Sequence, residues 1–165
     1  MSASIARMIC GFIRATTVGH ERAIFRTLPK EQINVIKVPE IVGQLFVGAT
    51  VRYFNAAYRS LILKNDPYIQ VSFGQMQQVC GHSYICLLNI VFANCVSVHQ
   101  SIDRSKLDLS SLENYQKSFE ALLNPILVNL EQKLAESLNH KCSGTDISKC
   151  DPKKDMFHME VTRQK

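Results

Sequence analysis

The sequence predicts an all-α domain, on three observations. Only seven glycines and five prolines interrupt 165 residues, too few turn residues for a many-stranded sandwich. Apolar residues recur at offsets of three and four over several long stretches, the period of a helix with one face against a core. One run, Tyr84 to Val96, is apolar almost all round and too long for a strand. Such a helix belongs at the centre of a bundle.

The elements follow in order. Ile5, Met8, Ile9, Phe12 and Ile13 form one stripe on a first helix, with Arg7 and Arg14 off it. Thr16 to Lys37, with Gly19 and Pro29, reads as a connection with room for a helical turn. A second helix is expected from Pro39, where a missing N–H does little harm, to about Lys64. It carries two apolar rows: Val42, Leu45, Phe46 and Ala49, then Val47, Val51, Phe54, Tyr58 and Leu61. One row serves the core and the other is free to line a surface groove. Asn65-Asp66-Pro67 is a stop signal. Tyr68 to Val79 is a shorter amphipathic piece, Gly81-His82-Ser83 breaks the pattern, and the central helix takes residues 83–100. Ser110 with Glu113 matches a capping box. It opens a helix bearing Leu112, Tyr115, Phe119, Leu122 and Leu123, which Pro125 is expected to kink or restart. The stripe Ile126, Leu127, Leu130, Leu134 and Leu138 follows. The expectation is about seven helices in one domain, 1–139, and a polar, disordered tail, 140–165.

Little in the chain suggests catalysis. There is no glycine-rich phosphate loop, nucleophile elbow or His-Glu-x-x-His pair. Cys80 lies two residues from His82, and His140 two from Cys142, but neither spacing supplies four ligands. No enzyme activity, cofactor or metal is therefore expected. The formal charge is +5, yet Lys and Arg are interleaved with acids in no run of like charge, which argues against nucleic acid. Cys10, Cys80, Cys86 and Cys95 sit in apolar helical patterns as small hydrophobes, and Arg7 and Arg14 break up any signal peptide. A reducing, cytoplasmic setting is expected, with Cys142 and Cys150 able to pair only in an oxidising one. No segment reaches the ~18–20 apolar residues that span a bilayer.

Four stretches carry a resemblance. Arg7-Met-Ile-Cys-Gly-Phe-Ile-Arg14 is similar to the N-terminal helix of the B-cell lymphoma 2 (Bcl-2) family of apoptosis regulators. Leu45 to Tyr58 resembles that family's second helix, which bears the homology-3 (BH3) motif. Ser83 to Val96 resembles the central helix that follows the Asn-Trp-Gly-Arg signature, and Phe119 to Leu127 the place where the family often reads Leu-Asp-Pro-Trp. The resemblance spans roughly residues 3 to 135. The chain departs at Gly81-His82-Ser83-Tyr84, where Tyr84 replaces the signature's arginine, at Ala49 in place of the homology-3 aspartate, and at Ile126 in place of the tryptophan. The resemblance implies a Bcl-2-like bundle around the central helix. Its groove would be lined by Val47, Val51, Phe54, Tyr58, Phe73, Met76, Cys80, Ser83, Tyr84 and Leu87. The groove would sequester BH3 helices of pro-apoptotic proteins and so suppress cell death, with mitochondria reached through those partners. Arg52 is a cation available to replace the missing arginine. The alternative is a helical bundle unrelated to apoptosis that dimerises through the same exposed row.

Overall fold

The computed structural model describes residues 2–41, 44–63 and 84–141. They form helices α1 (Ser2–Thr27), α2 (Lys30–Ile33), α3 (Val38–Ile41), α4 (Gln44–Leu63), α5 (Tyr84–Ser101) and α6 (Leu112–Lys141), with a 3₁₀ turn at Arg104–Lys106. No strand occurs among the described residues, so the all-α expectation holds. The expected helix over 68–79, with Phe73, Met76 and Cys80, lies outside the described residues, as do the break at 81–83 and the tail beyond Lys141.

The expected connection from Thr16 is instead the second half of α1, which runs unbroken to Thr27. Its core stripe keeps the helical period but changes chemistry: Ile9 and Ile13 are followed by Thr16, Thr17, His20 and Glu21 before Ile24, all buried. Polar residues in core positions end an apolar pattern without ending the helix. Thr17 donates its hydroxyl to the Ile13 carbonyl at 2.8 Å, and a threonine satisfied in this way sits in a helix without an orphaned oxygen. Gly19 is a packing residue rather than a breaker. A Cβ there would lie 2.5–2.8 Å from the Tyr53 ring, so only glycine lets α4 approach this closely.

α1 and α6 lie side by side and antiparallel. Arg7 reaches Glu131 at 3.5 Å, Cys10 Sγ the Leu127 carbonyl at 3.9 Å, and Arg14 the Asn124 side chain at 2.6 Å. Further on, Phe25 packs on Tyr115 with ring centres 5.0 Å apart. Each step forward in α1 is a step back in α6. α1 also packs along α4 and against α5, so α1 shares the middle of the molecule with α5. In α5, Ile90, Val91, Asn94, Cys95, Val98 and His99 are buried, while Asn89 and Gln100 face solvent.

Two local expectations are corrected. α6 begins one residue later than the capping box requires: Ser111 Oγ accepts from the Asn114 amide at 3.1 Å, and the Tyr115 amide closes the first turn on the Ser111 carbonyl. Ser110 accepts only from the Asn114 side chain. Pro125 neither ends nor restarts α6, which passes through it to Lys141. His140 and Lys141 are accordingly helical, not the start of a tail.

Candidate functional site

Among the described residues, α4 has two contrasting sides. Ala49, Thr50 and Phe54 turn inward and are buried. Phe54 is fully covered and stacks on Phe12, ring centres 5.1 Å apart. Half a turn away, Gly48, Val51, Arg52, Ala56 and Arg59 face solvent, at spacings that place them on one side of the helix. Val51 is one of only three large apolar side chains exposed among the described residues. A Cβ on Gly48 would meet nothing within 4 Å. α4 carries no acidic residue, so its outer face is a short apolar patch, Gly48 and Val51, followed by the guanidinium groups of Arg52 and Arg59.

This geometry divides the row expected along the groove. Phe54 is corrected: it belongs to the core and anchors α4 on α1, because the sides of a helix are set by what packs against it and Phe12 claims this one. Val51, three residues earlier, stays on the outside. Val47 and Tyr58 belong to α4, and Tyr84 and Leu87 to α5, with side chains outside the described set. Phe73, Met76, Cys80 and Ser83 also lie outside it.

A second constellation was not foreseen. Glu21 of α1 is buried at the meeting of α1, α5, α6 and the 3₁₀ turn. Arg104 grips its carboxylate with both terminal nitrogens, Nη1 to Oε1 at 2.7 Å and Nη2 to Oε2 at 3.2 Å. Arg104 Nε donates to the Ile33 carbonyl at 3.0 Å. The Tyr115 hydroxyl donates to Glu21 Oε2 and accepts from Arg104 Nη2. His99 Nδ1 lies 3.1 Å from Oε1, and the His20 ring meets the His99 ring edge to face. Burial alone would raise the Glu21 pKa, but the hydrogen bond with His99 and the Arg104 charge outweigh it and hold the carboxyl well below its usual range. Burial, with Glu21 beside it, pushes the Tyr115 hydroxyl up. Burial, reinforced by His99, lowers His20 to about 3, so its imidazole is neutral at physiological pH.

His20, Glu21 and His99 bring ligand-type atoms within 4.8 Å of one another, all buried. These residues do not fit a divalent cation. The one carboxylate among them is already neutralised by Arg104, and Tyr115 stays protonated and adds no negative charge. A metal ion would leave two uncompensated charges in the interior. The constellation is a clamp that ties five elements together, α2 through the Ile33 carbonyl, and Glu21, held ionised, is a poor proton acceptor at neutral pH. Its sequence signal was the helical phase of Ile9, Ile13, His20 and Ile24, which marks His20 as inward-facing. Nothing local marked Arg104 as the partner, 83 residues from Glu21. The buried thiols are equally quiet, with Cys10 pushed up to about 12 by burial first and Glu131 second.

Comparison with family models, with curated proteins and with solved structures finds no match to this chain.

Proposed function

We propose that the protein captures an amphipathic partner helix against the outer face of α4, and that its partners are BH3 helices of pro-apoptotic Bcl-2 proteins, whose sequestration suppresses cell death. The observation that carries the capture is α4 itself, pinned by Phe54 on one side and showing Gly48, Val51 and Arg52 on the other. An amphipathic ligand places side chains at i, i+3, i+4 and i+7 on such a face. Gly48 leaves room for its backbone, and Arg52 and Arg59 offer positive charge to its acids. The choice of partner rests on the resemblance of α1, α4, α5 and α6 to the Bcl-2 helices.

The test is calorimetric titration with a panel of BH3 peptides. Saturable binding is expected, weakened at least tenfold in Val51→Glu, about 1.4 kcal/mol, while circular dichroism and urea stability stay near wild type because Val51 is at the surface. Phe54→Ala should instead cost ~3–5 kcal/mol of stability. If no peptide binds at ~100 μM, a level that registers even weak pairs, the apoptotic reading is withdrawn. Concentration-dependent dimerisation abolished by Val51→Glu would then establish self-association through the same face.

A further inference from the structure

We propose that the outer face of α1 is a docking surface for an anionic phospholipid bilayer. Arg7, Gly11, Arg14, Ala15, Arg22 and Arg26 are all exposed, and their spacings of three, four, seven and eight place them on one side of the helix. In the sequence the arginines are four to eight residues apart and form no run of like charge; the helix gathers them into a row roughly 28 Å long, at 1.5 Å per residue. The only acid in α1, Glu21, is turned inward and neutralised by Arg104. Arg7 shares a carboxylate with Glu131 at 3.5 Å, with both side chains well exposed to water, and Arg14 meets only the neutral Asn124. Arg22 and Arg26 have no acidic partner within 4 Å among the described residues.

The residues between the arginines select the occupant. Gly11, Ala15 and the half-buried Val18 are small or apolar, and none is an Asn, Gln, Ser or Thr of the kind that reads base edges. α4, α5 and α6 pack against α1, which leaves it a strip rather than a projecting helix able to enter a groove about 12 Å wide. Beside the strip, the antiparallel register brings Val128 of α6, 68% exposed, level with Gly11. A planar sheet of phosphates suits a straight row of guanidinium forks, with the valines resting at headgroup depth. Each cation held near such a surface strengthens binding about fivefold.

The test is co-sedimentation of the full chain with phosphatidylcholine vesicles, with and without about 30% phosphatidylserine, a charge density like that of an anionic leaflet. Binding is expected only to the anionic vesicles, should fall steeply with added salt, and should drop at least about tenfold in Arg22→Glu/Arg26→Glu. A control double reversal, Lys37→Glu/Lys106→Glu, changes net charge equally at exposed sites in neither α1 nor α6 and should retain binding. Circular dichroism checks that both variants are folded. No binding to anionic vesicles, equal losses in the two doubles, or tighter salt-sensitive binding to duplex DNA than to the vesicles would each overturn the proposal.

Discussion

Glu21 is the residue on which most of the buried polar chemistry converges. It accepts from Arg104 and Tyr115 and faces His99. Glu21→Gln leaves a buried guanidinium without its counter-charge and should cost ~3–5 kcal/mol in urea unfolding. Removing the arginine as well, in Glu21→Gln/Arg104→Met, should recover much of that loss, because an uncompensated charge costs more than an absent pair. His20 makes the fold acid-sensitive. It takes a proton near 6.5 when unfolded but only near 3 when folded, so between those values the unfolded chain binds more protons. Stability should therefore fall as pH drops below about 6.5, on the order of 1.4 kcal/mol per pH unit, and the His20 contribution should level off near 3. Glu21, whose folded pKa is depressed, adds loss of the same sign below its ordinary 4.5. Urea midpoints across this window should show the slope in the wild type, and His20→Gln should flatten its upper part, above 4.5.

At the scale of elements, α1 shows what a sequence displays and what it hides. Its first half was legible because Ile5 to Ile13 form an apolar stripe; its second half was not, because Thr16, His20 and Glu21 occupy core positions that only Arg104, Tyr115 and α5 make tolerable. α5 and α6 were legible to within a residue or two at their starts, since their apolar patterns and the serines before α6 are local signals. The helical passage through Pro125 was not, because packing along α1 decides it. The same dependence on neighbours separates two glycines. Gly11→Ala, where a Cβ meets nothing within 4 Å, should gain ~0.5–1 kcal/mol from helix propensity alone. Gly19→Ala gains the same propensity yet drives a methyl into the Tyr53 ring, and its melting temperature should fall. Of the expected groove, α4 was placed correctly as a helix, but which side of it faces outward depended on Phe12, 42 residues from Phe54, and no periodicity within α4 could reveal that.

At the scale of the whole molecule, contacts between the described helices are long in sequence: the pair Arg7–Glu131 spans 124 residues. Closing such a loop is slow, because its entropy is lost before the distant contacts form. For a chain made from its N-terminus, this has a consequence for its birth. Of the described helices, α1 leaves the ribosome first, but α6, which covers its longest side, is synthesised last. At ~5–20 residues per second, Ile9, Phe12 and Ile13 wait on the order of ten seconds before α6 can cover them. During that interval the nascent chain presents an uncovered greasy ridge to whatever chaperone stands at the tunnel exit, and the ridge is covered only when α6 arrives.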